Sequence, residues 1–322
     1  MVNRATMGVT RFIAILILGI VTLWDGSASG GGKVVATVLT SDLPRYKEAH
    51  HAFVRALSAR GNELEIITQT PNPDPISWAN TLRKFNAVRP DVIVTFGAPA
   101  TLAAVQETDN IPIVFADVYG PVETGLTRSM TRTGNNLCGA SSKVPVATLV
   151  RSMMEIRPVK TFGILYNNRE AGAIVQLKEL KRLAAQHGFQ VAEANVPSAA
   201  GLDAALNHLV ARSDCLFVTE SSVVGRQIDR VMRRAREARL PVISTVPDAS
   251  EKGALLSLEA SPAEQGQLAA EFVVKVLGGK KPGEMPIASP HRVELVVNLN
   301  AAKLLGLQVP FRTLSVATKV LR

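Results

Sequence analysis

Residues 89–104, RPDVIVTFGAPATLAA, run from an apolar segment directly into a helical one. The stretch VIVTF contains a single polar side chain, which is typical of a strand buried on both faces of a sheet. Gly97 permits a tight turn, and Pro99 suits the first turn of a helix because it has no N–H to leave unpaired. This abrupt corner predicts an α/β unit with a parallel sheet.

Two series of strands that alternate with helices follow each other along the chain. The first series has predicted strands at residues 33–42, 62–68, 91–96 and 111–117, and the second at 160–168, 189–194, 214–220 and 240–246. Ile-Pro opens the last strand of the first series and Leu-Pro that of the second. The pattern predicts two doubly wound, Rossmann-like α/β lobes with a ligand cleft between them, since open α/β sheets bind ligands at the carboxyl ends of their strands.

Composition narrows the function classes. The chain has 322 residues, 47% of them hydrophobic and 20% charged, and its two cysteines and five scattered histidines show no metal-ligand spacing. We expect no metal and no cofactor, and no catalytic residues because no nucleophile lies beside a base. The formal net charge of +9 includes six arginines at residues 223–239, which form a solvated face or dock to a permease or to anionic lipid. Nucleic acid is not an expected partner.

Residues 1–28 have the pattern of a signal peptide. Arg4 and Arg11 precede the apolar run FIAILILGIVTLW, and small residues follow it, with a cleavage site predicted after Ala28. The run is shorter than the roughly 20 residues that a membrane-spanning helix needs, and an uncleaved anchor is the alternative. The residues directly after the run, DGSASGGG, contain no cysteine, so we expect a periplasmic protein without a lipid anchor.

The loops after the predicted strands contain tyrosines and a helix N-terminus, and both suit a small ligand. All three tyrosines fall in these short loops, where ring faces and hydroxyls suit a flat or cationic group. The corner at Gly97 predicts free N–H groups on Ala100, Thr101 and Leu102, which would seat a carboxylate or a phosphate at a helix N-terminus. A simple tight connection is the alternative interpretation of that corner.

Acidic residues also follow the predicted strands, and a carboxylate there can pair with an ammonium group. Four acids beside one anion seat fit a zwitterion, for example an amino acid, better than a phosphate. The candidate ligand-binding residues are Ser41, Asp42, Tyr46, Ala98, Ala100, Thr101, Asp117, Tyr119, Ser141, Tyr166, Asn167, Glu170, Glu220, Ser221, Asp248 and Glu259.

Several long stretches are specific enough to indicate a family. They are RPDVIVTFGAPATLAA, IPIVFADVYGPVETGL, GNNLCGAS, GILYNNREAG, GALLSLEASPAEQGQLAAEFVVKVLGGKKPGEMPI and VNLNAAKLLGLQVP. With them the chain resembles the ABC-transporter substrate-binding proteins of the tryptophan/tyrosine type. The resemblance implies the type I periplasmic binding fold, a small-molecule ligand, and an ABC permease with its ATPase as partners. It also implies one lobe at residues 33–140 and 259–288, and another at 141–258 and 289–322.

Two stretches depart from the family pattern. The family commonly has His-Pro after the first strand, where this chain has Thr40-Ser41-Asp42-Leu43-Pro44, and the usual Asp-Pro-Val after the fourth strand is stretched to DVYGPV at residues 117–122. Both lie on the ligand side, so the aromatic amino-acid ligands of the family do not transfer directly. Solute capture for an importer is the favoured function, and a sensing partner of a membrane receptor or histidine kinase and an exported enzyme are the alternatives.

Overall fold

The computed structural model describes residues 32–61, 64–108 and 110–322. The signal peptide predicted at residues 1–28 lies outside the described residues. Within the described part of the chain, no helix is long and apolar enough to cross a membrane.

The first lobe is built on a five-stranded parallel sheet. Its strands are β1 (Lys33–Leu39), β2 (Leu64–Gln69), β3 (Val92–Phe96), β4 (Ile113–Val118) and β5 (Leu137–Ser141). The helices between them are α1 (Pro44–Ser58), α2 (Pro75–Val88) and α3 (Ala98–Glu107). The strand order β2-β1-β3-β4-β5 runs outward in both directions from β1, as in a doubly wound fold.

The second lobe is built on a seven-stranded sheet. Its strands are β6 (Thr161–Tyr166), β7 (Gln190–Asn195), β8 (Cys215–Val218), β9 (Val242–Ser244), β10 (Leu256–Ala260), β11 (Val293–Asn298) and β12 (Lys319–Leu321). They lie in the order β12-β11-β10-β9-β8-β6-β7, and β10 and β11 pair antiparallel.

Eight further helices complete the described chain. They are α4 (Val146–Ile156), α5 (Ala171–His187), α6 (Leu202–Val210), α7 (Ser222–Gly225), α8 (Ile228–Glu237), α9 (Pro262–Leu277), α10 (Leu299–Leu305) and α11 (Phe311–Ser315). Short 3₁₀ turns occupy Ala199–Gly201 and Pro282–Glu284.

Each sheet has an apolar core on both of its faces. In β1, Val35 and Leu39 pack in one core with α1 and α9, whereas Ala36 and Val38 pack on the opposite face with α2 and α3. The second sheet likewise separates two cores. Burial on both faces explains why these strands are continuous apolar runs, and the predicted fold of two α/β lobes is confirmed.

The chain passes between the lobes three times: after β5, after β10, and between Ala288 and β11. Ala288 still bridges Ala140 beside the first sheet. Helix α9 follows a second-lobe strand but packs along α1 of the first lobe. Gly266 makes this approach possible, since a Cβ there would lie 1.9 Å from the Ala49 carbonyl oxygen. The three connections place the strand ends of the two sheets where side chains of one lobe reach the other.

Candidate ligand-binding cleft

Arg45 is the centre of the polar cluster between the lobes. It lies in the first turn of α1 and is buried, although a positive charge at a helix N-terminus is unfavourable with the helix dipole. Its Nη1 donates to Glu220 Oε2 of the second lobe at 3.0 Å, and its Nη2 donates to the Glu220 carbonyl oxygen at 2.9 Å. The same Nη2 donates to the Tyr46 hydroxyl at 2.5 Å. Arg45 therefore links α1 to the end of β8 across the cleft.

Asp117 contributes a second buried carboxylate to this cluster. It is the penultimate residue of β4 and has a φ of 54°, a backbone conformation uncommon for a residue other than glycine. Its Oδ2 lies 3.6 Å from Arg45 Nε. Gln265 of α9 accepts from the Asp117 backbone N–H and donates to the Ser141 carbonyl oxygen, each at 3.1 Å. Helix α9, which follows the second crossing, thus fixes the ends of β4 and β5.

Burial controls the protonation of the two carboxyls. It raises the pKa of Glu220 to about 8, although the nearby Arg45 acts to lower it. Burial also raises the pKa of Asp117, again against the lowering effect of Arg45. One guanidinium is shared by two carboxyls, so near neutral pH the closed cluster holds a proton in place of a second cation.

Several buried polar atoms around the cluster have no hydrogen-bond partner. They are Ser41 Oγ, Arg45 Nε, Asp117 Oδ2, Ser142 Oγ, Gln176 Nε2 and Ser222 Oγ. They come from both lobes and lie near strand ends, in the first turn of α1 or α7, or on α5. Nearly all buried polar groups in folded proteins are paired, so these atoms are exceptional. Two of them, Arg45 Nε and Asp117 Oδ2, lie 3.6 Å apart.

Three predicted site residues of the second lobe bond mainly to one another. The Glu170 carboxylate accepts from Asn167 Nδ2 at 3.0 Å, from the Ser221 hydroxyl at 2.7 Å and from the Ser222 backbone N–H at 2.7 Å. Ser221 also caps α7, accepting from the Val224 N–H. These residues shape the loop that carries Glu220, beside the unpaired hydroxyl of Ser222.

The structure corrects the prediction of an anion seat at Gly97. The Ala100 N–H donates to Thr40 Oγ1 at 3.3 Å, and the Thr101 N–H donates to the Gly97 carbonyl oxygen at 3.2 Å. A Cβ at Gly97 would lie 2.6 Å from Thr40 Oγ1 and 2.7 Å from the Tyr46 hydroxyl. Two of the three N–H groups expected to be free are therefore paired, since a threonine side chain and the carbonyl of the helix's own N-cap residue satisfy them. Ala98 is buried in the same corner.

The three predicted tyrosines lie in different surroundings, and only Tyr46 bonds to Arg45. Tyr46 belongs to the cluster through its bond to Arg45. Tyr119 instead donates its hydroxyl to the Val144 carbonyl oxygen and to Glu179, and it is part of the second lobe's core. Tyr166 packs against that core as a partly buried side chain. Strand-end position gave the right edge of the sheet, but it could not give the direction of a side chain.

The remaining predicted acids lie toward the surface. Asp42 is exposed and pairs with Arg226 of the second lobe at 2.6 Å, which makes a second contact between the lobes. Asp248 is exposed, and its backbone N–H donates to Glu259 Oε2 at 3.2 Å. Burial raises the pKa of Glu259 to about 7. Burial raises the pKa of Glu48, and the charge of Asp248 raises it further, whereas Arg55 acts to lower it.

Sequence reasoning missed Arg45, Thr40, Ser142, Gln176 and Ser222. Arg45 and Thr40 lie in the TSDLPRY loop that was already assigned to the ligand side. An arginine in the first turn of a helix, against the helix dipole, was the available signal for a site residue.

The fold and the cleft together define a class of ligand-binding protein. Two α/β lobes with three crossings and a polar cleft at their strand ends form the type I periplasmic binding fold. A conserved domain protein from Vibrio cholerae O1 biovar El Tor strain N16961 has this structure with a TM-score of 0.86 and 30% identity, covering 90% of this chain and 100% of that one.

The family described as ABC transporter substrate binding protein matches residues 35–321, and this chain belongs to that family. A relative named tyrosine-binding protein, from Clostridioides difficile (strain R20291), is 26% identical over 270 residues, which are 82% of this chain and 78% of that protein.

The lobes of this structure are closed on each other. Leu43 of the first lobe lies 3.2 Å from the position of a Cβ on Gly225 of the second, and Arg45 bonds across the cleft. The ligand-free, open structure of a substrate binding protein with adhesive properties from Clostridium difficile is 27% identical over 90% of this chain and 99% of that one, with a TM-score of 0.67. The lower score against an open structure agrees with a different arrangement of the same lobes.

Proposed function

We propose that this chain is the exported solute-binding component of an ABC importer and that it captures a small, amino-acid-like ligand between its lobes. The lobes at residues 33–140 with 259–288 and at 141–258 with 289–322 would close on the ligand and present it to a permease in the inner membrane. No chemical step on the ligand is part of this proposal. Export rests on the apolar segment at residues 12–24, which the structure does not describe.

The observation that carries the proposal is the set of buried, unpaired polar atoms between the lobes. Leaving a buried donor or acceptor unpaired costs about 1–3 kcal/mol, so a ligand that pairs them stabilises the closed form by differential binding. The family membership and the name of the tyrosine-binding relative support an amino-acid-like ligand. Charged and hydroxyl groups from both lobes suit a zwitterion.

A thermal-shift screen against amino acids, small organic acids and sugars tests the proposal. A true ligand raises the melting temperature, because it stabilises the folded state by RT ln(1 + [L]/Kd). Small-angle scattering on the hit should show a compact particle at saturation, and deletion of the gene in the host should lower uptake of the labelled compound. A screen without an amino-acid-like hit, or a hit whose affinity is unchanged by Asp117→Asn, contradicts a cleft of this kind.

A further inference from the structure

The side chains that join the two lobes at the centre of the cleft are ionisable and buried. The Arg45 cluster, defined as Arg45, Asp117 and Glu220, has exposed side-chain fractions of 5%, 7% and 8%. Arg45 and Asp117 both belong to the first lobe, whereas Glu220 follows β8 of the second. The hydrogen bond from Arg45 Nη1 to Glu220 Oε2 at 3.0 Å therefore crosses the cleft and breaks when the lobes separate.

The groups that face the Glu220 carboxyl are one cation, two acids, two tyrosines and two uncharged residues of α5. They are Arg45 and Tyr46 on α1, Asp117 on β4, Tyr119 two residues further along the chain, Glu170 directly before α5, and Gly172 and Gln176 on α5. Burial raises the pKa of both tyrosines, so their hydroxyls stay protonated in the neutral range. One guanidinium therefore lies among three carboxyl groups.

Two of these three carboxyl groups have partners that favour their ionised form. Glu170 accepts three hydrogen bonds of 2.7 to 3.0 Å from uncharged donors. Asp117 lies 3.6 Å from Arg45 Nε, and because both residues belong to the first lobe this pair remains when the lobes separate. Glu220 Oε2 accepts from Arg45, but Glu220 Oε1 accepts no hydrogen bond from any residue that the structure describes. Glu220 is therefore the carboxyl that holds a proton in the closed form.

Closure changes the surroundings of Glu220 more than those of Arg45 or Asp117. In an open form Glu220 meets water and leaves Asp117 behind on the other lobe, and an exposed glutamate titrates with a pKa of about 4.3. In the closed form burial raises the pKa of Glu220 to about 8 against the lowering effect of Arg45, and the charges of Asp117 and Glu170 raise it further. A form in which a pKa is higher binds more protons.

We propose that closure of the lobes takes up one proton, which Glu220 binds at the centre of the interface, so that the cleft closes more readily as the pH falls. This inference rests on the proposed function, because it concerns closure of the same cleft, but it does not depend on which ligand binds. At neutral pH the open form has an ionised Glu220. The closed form has a protonated Glu220 beside the ion pair of Arg45 and Asp117.

The size of the effect follows from the linkage of one proton. Because the pKa of Glu220 is higher in the closed form, its contribution to closure is fully present below about pH 4.5 and is lost as the pH rises through 8. Within this window one linked proton changes the ratio of closed to open molecules by up to about tenfold per pH unit. From pH 5.5 to pH 7.5 we therefore expect this ratio to fall about tenfold to a hundredfold.

Single-molecule energy transfer on the ligand-free protein measures this ratio. The two native cysteines are buried, so the dyes attach to cysteines introduced at exposed positions of α2 in the first lobe and of α6 in the second. Molecules with the dye separation of the closed structure should become more frequent when the pH is lowered from 7.5 to 5.5.

Three variants assign the effect to Glu220. Glu220→Gln imitates the protonated carboxyl and should make the ratio independent of pH over this range; if it does not fold, as judged by its melting curve, Glu220→Ala replaces it. Asp42→Asn is the matched control, since Asp42 also pairs across the lobes, with Arg226, but is 57% exposed, and the pH dependence should remain. Glu259→Gln should keep it as well, although burial raises the pKa of Glu259 to about 7 beside the second crossing.

The outcomes separate this inference from the proposed function. A ratio that does not change with pH in the wild type, including an absence of closed molecules at both pH values, overturns the inference, and so does a dependence that survives Glu220→Gln or disappears in Glu259→Gln. If the dependence is found but the thermal-shift screen yields no amino-acid-like ligand, the proposed function fails and the proton linkage stands. If such a ligand is found without the dependence, capture of the ligand stands and the proton linkage fails.

Discussion

Replacing Arg45 by methionine tests how far one buried ion pair controls closure of the lobes. Methionine keeps an unbranched apolar chain but removes the guanidinium that bonds Glu220 and Tyr46. In the closed form the variant leaves the Asp117 and Glu220 carboxyls buried without a cation. In an open form both carboxyls regain water. The penalty should therefore fall on closure, not on the folding of either lobe.

The size of the penalty follows from the geometry. Above about pH 8, where Glu220 is ionised, unit charges separated by 3.0 Å, the distance from Arg45 Nη1 to Glu220 Oε2, attract by about 5–6 kcal/mol at an effective dielectric constant near 20. Desolvation offsets part of this attraction, and removing one partner of a buried pair costs about 3–5 kcal/mol. Each 1.4 kcal/mol changes an equilibrium constant tenfold. The ratio of open to closed molecules should therefore rise on the order of a hundredfold to a thousandfold.

Small-angle scattering of the ligand-free protein provides the assay. Arg45→Met should increase the radius of gyration, while the melting temperature falls by less than about 6 °C, the smallest shift that the full penalty would give at about 2 °C per kcal/mol. Arg226→Met is the matched control, since its pair with Asp42 is partly exposed and such pairs contribute about 0–1 kcal/mol. An unchanged radius in Arg45→Met, or an equal increase in both variants, would refute the reasoning.

Two further outcomes are expected. Tyr119→Phe should lower the free energy of unfolding by about 1 kcal/mol in denaturant melts, because the hydroxyl bonds to Val144 and Glu179 are lost, and ligand affinity should stay the same; a large loss of affinity would place Tyr119 at the ligand after all. Burial raises the pKa of Glu220 to about 8, so its contribution to stability is fully present below about pH 4.5 and is lost as the pH rises through 8. Glu220→Gln imitates the protonated acid, and its stability relative to the wild type should increase from pH 5 to pH 8; a difference that is constant with pH would contradict the assigned pKa.

The alternation of strands and helices along the sequence was enough to predict the two α/β lobes of this protein. Continuous apolar strands such as Val92–Phe96 appear wherever a sheet is covered on both faces, and this periodicity is local and readable. The arginine-rich residues 223–239 belong to two helices, α7 and α8, because Glu170 and Ser221 hold a separate short turn at the start of this segment. Such a break depends on a residue some fifty positions away, which no local pattern contains.

The sequence by itself also determined the family and the edge of the sheets where a ligand site belongs, since both depend on contiguous residues. Only the tertiary structure decided which side chains meet there. Arg45 and Glu220 are 175 positions apart, and their pairing exists because two separately folded lobes close on each other. Thr40 and Tyr46 fill the corner at Gly97 because β1, α1 and β3 pack together within the first lobe. The direction of a side chain and the partner of a buried charge are set by packing between elements distant in the chain, and local propensity carries no information about them.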